Sequence, residues 1–405
     1  MNPLLSRLQP YPFERLRALM AGVTPPAARP IRLSIGEPQH PTPDLVRAAL
    51  VAHLDGLATY PMTAGLDELR GTMAEWFRQR YSLPRLDAAR QVLPVNGTRE
   101  ALFAFAQAVI DPSHRTVAPS HSRTVAPLAV CPNPFYQIYE GAALLAGAEP
   151  VFLNQTAANG FALDLDSLRE DEWRRTQLVY VCTPGNPTGH VLDLEIWREL
   201  FARADRYGFV IASDECYSEI YPDEQRPPLG GLDAAQRLGR DRFRSLVVFT
   251  SLSKRSNAPG LRSGGIAGDA ALVERFLLYR TYHGCAMSPA VQHASVAAWG
   301  DETHVRENRA QYRAKFAAVL RMLEPVLETR QPEAGFYLWA GVPGGDDPAF
   351  ARDLFAATHV SVLPGRYLAR EAHGVNPGSG YVRIALVPGL DDCVEAARRI
   401  VGFCR

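Results

Sequence analysis

The chain has 405 residues, 47% apolar and 21% charged, which allows a large buried core and two or three domains. Lys plus Arg and Asp plus Glu number 43 each, so the formal charge is zero; that argues against a nucleic-acid partner and leaves small anions held by a few placed arginines. No apolar run approaches the ~20 residues that cross a bilayer, and Met1-Asn2-Pro3-Leu4-Leu5 does not open a signal peptide.

Residues 1–30 form an arm. Pro3, Pro10, Pro12, Pro25, Pro26 and Pro30 argue against one packed element there. A strand is expected at 91–95, followed by Asn96-Gly97-Thr98-Arg99 and an apolar helix at 100–110. Arg115-Thr116-Val117-Ala118-Pro119 recurs as Arg123-Thr124-Val125-Ala126-Pro127, which reads as a surface insertion made by local duplication. Residues 177–182, 209–213 and 246–250 are nearly continuous in hydrophobicity, as strands covered on both faces are. Helical spacing at 193–207 separates the first two. Strand–helix–strand units of this kind imply an α/β domain with a mostly parallel sheet flanked by helices. After residue 290 the pattern changes. A helix is expected at 302–328. Runs at 335–342, 360–363 and 381–387 then alternate with helices at 349–357 and 391–403, which reads as a smaller α+β domain. The expected organisation is 1–45 as arm and part of the small domain, 46–290 as the large domain, and 291–405 as the small domain.

Cys131, Cys182, Cys216, Cys285, Cys393 and Cys404 form no C-x-x-C pair. Their scatter fits free thiols in a reducing cytoplasm and gives no reason to expect a metal site.

Lys254 carries the strongest chemical signal. It follows an apolar strand within Thr250-Ser251-Leu252-Ser253-Lys254, and Arg262 lies eight residues on. A lysine amine can bond to an aldehyde cofactor while Ser and Arg hold its phosphate, and an acid on a neighbouring strand end can keep a pyridine nitrogen protonated. Asp214, in Asp214-Glu215-Cys216-Tyr217, ends such a strand, and ligands of open α/β sheets bind beyond strand carboxyl ends. Each remaining motif is ordinary alone. Asn186-Pro187-Thr188-Gly189 is a turn, Gly97 before a helix is a possible phosphate site, and Tyr136 in Pro134-Phe135-Tyr136 is a core aromatic or a ring-stacking one. Ser251-x-x-Lys254 also matches the nucleophile motif of β-lactamases, but S-D-N and K-T-G companions are lacking. Taken in order, the motifs supply different parts of one cofactor site, that of pyridoxal 5′-phosphate (PLP).

From about Arg32 to the C-terminus the chain resembles the class I/II aminotransferases of PLP fold type I, and among them the N-succinyl-diaminopimelate aminotransferases. The resemblance implies that Lys254 carries the cofactor and that Ser251, Arg262 and the backbone at Thr98 and Arg99 hold phosphate. It implies that Asn186, Asp214 and Tyr217 contact the ring and that Tyr136 stacks on it. It places Gly36, Asn186 and Arg383 at the substrate, with Arg383 clamping the α-carboxylate. It gives Tyr60 to the partner subunit's phosphate, hence a homodimer with shared sites.

The implied reaction moves an amino group between glutamate and a keto acid. Residues 213–223 and 276–289 resemble the enzymes that use N-succinyl-2-amino-6-ketopimelate in lysine formation, with Arg280, Tyr282 and His283 available for a distal carboxylate. The alternatives are an aminotransferase for aspartate, alanine or an aromatic amino acid, or a PLP-dependent C–S lyase. A transcription regulator needs a DNA-binding module that the short arm cannot hold.

Overall fold

The computed structural model describes residues 1–113, 116–117 and 124–405. Most of the 115–127 repeat lies outside them; of its described part, Thr116–Val117 pairs antiparallel with Thr124–Val125.

The large sheet has seven strands among the described residues. They are β1 (Val92–Val95), β2 (Leu128–Asn133), β3 (Glu149–Asn154), β4 (Thr176–Cys182), β5 (Val210–Asp214), β6 (Leu246–Ser251) and β7 (Gly264–Gly268). Their order is β1-β7-β6-β5-β4-β2-β3. β2 to β6 run parallel, and β7 is antiparallel to both neighbours, β6 and β1.

The continuous hydrophobicity of the central strands has a direct cause. Side chains alternate between faces, and both faces are covered. Val179, Val181, Ile211, Leu246 and Val248 enter the core shared with helices Asp67–Arg80, Leu194–Tyr207 and Pro289–Trp299. Leu178, Tyr180, Ala212, Val247 and Phe249 enter the opposite core, shared with helix α1 (Thr98–Val109), helix α2 (Ile138–Leu145) and helix Ala270–His283. Helix Leu194–Tyr207 starts where Asp193 accepts a hydrogen bond from the Ile196 amide at 2.9 Å and stops at left-handed Gly208.

A third core joins strands β8 (Tyr337–Gly341), β9 (Leu363–Pro364) and β10 (Tyr381–Ala385), ordered β8-β10-β9, to helices α3 (Thr303–Leu323), Asp347–Thr358 and Leu390–Cys404. The arm adds Ile31 and Leu33 to this core, and Ile31–Arg32 pairs with Val360–Ser361. The arm is also more regular than its prolines suggest. Helix Pro12–Leu19 begins on Pro12, at a position where the missing N–H costs nothing. Helix α3 ends at Leu323, short of 328, because Pro325 cannot continue it.

Candidate active site

All loops at the carboxyl ends of β1, β2, β4, β5 and β6 open on one cavity of about 520 Å³. Gly36, Thr98, Arg99, Tyr136, Asn186, Asp214, Tyr217, Ser251, Lys254, Arg262 and Arg383 all line it. Tyr60 does not; it is fully exposed. Arg280, Tyr282 and His283 do not line it either. Arg280 is buried against Glu100, with hydrogen bonds of 2.6 and 2.7 Å, and Tyr282 faces solvent. None of the three therefore contributes to the lining of this chain's cavity, contrary to the role expected of them at a distal carboxylate.

Lys254 lies in the short helix Leu252–Arg255 that follows β6. Its Nζ donates to the Gly36 carbonyl at 2.5 Å. Burial pushes the amine down to about 8; Cys216 and Glu37 oppose this, while Arg383 and Arg99 add to it. Gly36 has no room for a side chain, since a Cβ there would fall 1.8 Å from the Tyr337 hydroxyl.

Asp214 ends β5 and is buried. Burial raises its pKa, and hydrogen bonds oppose the rise: Tyr139 donates to Oδ2 at 2.7 Å and the Cys216 amide to Oδ1 at 3.2 Å. Tyr139 was not foreseen. It stands three residues after Tyr136, in the first turn of α2.

One end of the cavity is built for an anion. Gly97 caps α1 with φ +83°, which favours glycine, and a Cβ on it would fall 2.4 Å from Arg262 Nη2. The absent side chain lets the guanidinium approach the helix N-terminus. Thr98, Ser251 and Ser253 add hydroxyls to the same lining. Cys216 sits behind them, with Sγ 2.9 Å from Thr98 Oγ1. Ser253 and Cys216 also went unforeseen, although Ser253 is the second serine of the S-x-S-K string.

Arg383 is buried on β10, with Nη1 donating to Asn186 Oδ1 at 3.0 Å and Nη2 to the Ser34 carbonyl at 2.9 Å. Its Nε has no hydrogen-bond partner among the described residues, and the guanidinium carbon lies 4.4 Å from the Tyr337 ring centre. Tyr217 and Tyr337 hydroxyls meet at 3.1 Å. The Arg99 side chain also reaches the cavity, where Nε donates to the Tyr136 hydroxyl at 2.6 Å and Nη2 approaches Tyr11 of the arm at 3.4 Å. Only the Arg99 backbone had been expected to matter.

These parts fit PLP. There is one depressed lysine for an aldehyde, one buried carboxylate for a ring nitrogen, an aromatic beside it, and an anion cradle made possible by Gly97.

Residues 28–400 match the family described as Aminotransferase class I and II. The chain belongs to that family. Its cofactor is pyridoxal 5′-phosphate, and its fold is that of the fold type I aminotransferases. The chain is 53% identical to an aminotransferase of Neisseria meningitidis, with a TM-score of 0.94 and both chains fully covered. It is 32% identical to the LL-diaminopimelate aminotransferase of Moorella thermoacetica, over 98% of this aminotransferase and 97% of the relative. It is 26% identical to a probable N-succinyldiaminopimelate aminotransferase of Thermus thermophilus, with a TM-score of 0.82 over 97% of this chain and all of that one.

Proposed function

We propose that this aminotransferase moves an amino group between glutamate and a diaminopimelate-type keto acid, N-succinyl-2-amino-6-ketopimelate, in lysine formation. The observation that carries the reading is a cation in the cavity beyond Lys254, Arg262 and Arg383. Arg383 suits an α-carboxylate and Arg99 is available for a distal one. The names of the Moorella and Thermus relatives support the same substrate class. The unsuccinylated diaminopimelate pair is the second reading. It is favoured by Glu37, an anion in the same lining that can meet a free distal ammonium. Comparing kcat/KM for the succinylated acceptor, the LL-diaminopimelate and 2-oxoglutarate pair, oxaloacetate, pyruvate and phenylpyruvate decides between them. A clear win for any of the last three removes the lysine-pathway reading. Turnover without a keto-acid acceptor points to a lyase.

Bound PLP supplies an electron sink for charge developing at the substrate Cα. The chain's residues do the rest. Arg383 holds the α-carboxylate and so orients the Cα–H bond. Lys254, once its amine is free, takes the proton from Cα; a pKa near 8 leaves part of it neutral at working pH. The Gly36 carbonyl keeps that amine in place. Asp214, whose ionised form is favoured by hydrogen bonds from Tyr139 and the Cys216 amide against the upward pull of burial, would be the anionic partner of the ring nitrogen. Ser251, Arg262 and the N-terminus of α1 would hold the phosphate, and Asn186, Tyr217 and Tyr136 would position the ring.

We also propose the three-part division at residues 45 and 290, a cytoplasmic location, and a homodimer. Among the described residues no helix is long and apolar enough to cross a membrane. The dimer is supported by exposed Val51, Leu54, Leu57, Tyr60 and Met62, an apolar stretch that a second copy can cover. Mixing Tyr60→Phe and Lys254→Ala subunits tests shared sites. Recovered activity supports them, and a fully active monomer refutes them.

A further inference from the structure

Next to the Lys254 main chain lies a buried polar chain, His40, Asn308 and Lys315, none of which lines the cavity. Asn308 Nδ2 donates to the Lys254 carbonyl at 3.1 Å and to the Arg255 carbonyl at 3.4 Å. Asn308 Oδ1 is 2.9 Å from His40 Nδ1 and accepts from Asn257 Nδ2 at 3.0 Å. His40 Nε2 is 2.6 Å from Lys315 Nζ, which also donates to the Leu386 and Val387 carbonyls at 3.2 Å each.

Two proton arrangements satisfy these contacts, a neutral His40 beside a Lys315 ammonium or an imidazolium beside a neutral Lys315 amine. Burial, which lowers the His40 pKa below its ordinary value while leaving Lys315 at about 8, selects the first. Two carbonyls require the Asn308 amide nitrogen, so its oxygen faces His40. His40 then donates from Nδ1, and in its neutral form it accepts at Nε2 from the Lys315 ammonium. The direction runs from Lys315 through His40 and Asn308 to the main chain of Lys254. Burial keeps His40 neutral, its pKa falling below the ordinary value, which the acceptor role at Nε2 demands. The titratable groups facing this chain are Lys315 and Tyr312 of α3, the latter with its ring 5.0 Å from His40, and Cys393 beside Lys315.

The same face of α3 grips the turn again. His304, four residues before Asn308, places Nε2 2.8 Å from Ser256 Oγ while Nδ1 meets Asp301 at 2.6 Å. Thr42, two residues from His40, donates to the Asn257 carbonyl at 2.7 Å. The turn after β6 is therefore held by α3 and by the segment around His40, both remote from it in sequence.

We propose that His40 is a positioning residue for Lys254, acting through Asn308 to fix the main chain from which the reactive amine projects. The proposal rests on Lys254 being the cofactor lysine. A small displacement of that backbone moves Nζ relative to both Gly36 and the substrate Cα, and proton transfer is steeply sensitive to such a shift.

Three variants test it in the holoenzyme. Asn308→Asp keeps the shape but cannot donate to the Lys254 carbonyl. His40→Leu removes both contacts. His40→Gln restores one donor and one acceptor at similar separation. Each is measured for kcat and KM with glutamate, for the pH midpoint of the bound cofactor's visible absorbance change, and for melting temperature. Asn308→Asp and His40→Leu are expected to lose about tenfold or more in kcat with KM little changed, and to move the absorbance midpoint. His40→Gln is expected to recover both. Lower melting temperatures with kcat and midpoint unchanged overturn the proposal and leave the chain a purely structural one. If His40→Leu does not fold, Asn308→Asp and His40→Gln give the same decision. Borohydride labelling of wild-type Lys254 is the separate control: its failure removes the lysine assignment itself, whereas labelling with unaffected variants removes only the role of His40.

Discussion

Tyr139 and Asp214 form a buried pair, the phenol donating to Oδ2 at 2.7 Å. Burial drives the phenol pKa well up and the carboxylate pKa up as well, so the phenol stays a donor and its hydrogen bond works to keep Asp214 ionised. Tyr139→Phe removes the donor without changing the ring. The expected outcome is weaker PLP retention and a kcat lower by about tenfold, in line with the ~1–2 kcal/mol lost when a buried acceptor goes unpaired. Asp214→Asn is expected to be more severe on both counts. Steady-state kinetics and cofactor titration of the two variants check this, and near wild-type behaviour of Asp214→Asn contradicts the electron-sink role.

Of the three cavity arginines, the two not assigned to phosphate, Arg383 and Arg99, separate by substrate. Arg383→Ala is expected to cut kcat/KM by about 100-fold for donor and acceptor alike, because both present an α-carboxylate to one charge-assisted clamp. Arg99→Leu is expected to hurt the long acceptor more than a short one such as pyruvate. Equal losses across all acceptors contradict a distal role for Arg99.

Lys254 costs the empty protein stability in a defined pH window. Its amine titrates near 10.5 when unfolded and near 8 when folded. Above about 10.5 neither state is protonated and the lysine is neutral in effect. As pH falls from 10.5 to 8 the unfolded chain gains a proton first, and stability drops; below 8 the penalty is constant. Lys254→Met apoenzyme is therefore expected to be more stable than wild-type apoenzyme below pH 8, by about 1–3 kcal/mol, with the gap closing toward pH 10.5. Lys315, also pushed to about 8, titrates in both proteins and cancels. Denaturant melts of both apoproteins across that range supply the check.

What the sequence made legible is what local strings encode. Ser251, Lys254 and Arg262 sit within twelve residues of chain, and the strand before them is apolar on both faces, so both the site and the central sheet could be read. Strand β7 was missed because its sequence, Gly-Gly-Ile-Ala-Gly, has little strand character. The glycines answer crowding instead: a Cβ on Gly265 would fall 1.7 Å from Met73 Cε. Pro12 looked like a breaker and serves as a helix start. Arg280 looked like a substrate contact and is held by Glu100, 180 positions away. His40 meets Lys315 across 275 positions, a contact only the folded chain creates. Long-range pairings of this kind leave no local pattern to read.

Lys254 is proposed as the residue that bonds to PLP. Borohydride reduction of the holoenzyme, followed by proteolysis and mass mapping of the cofactor-labelled peptide, tests it directly. Label on Lys254 is expected in the wild type, and a folded Lys254→Ala protein with neither label nor turnover. Label on Lys315, or equally strong labelling of Lys254→Ala, contradicts it.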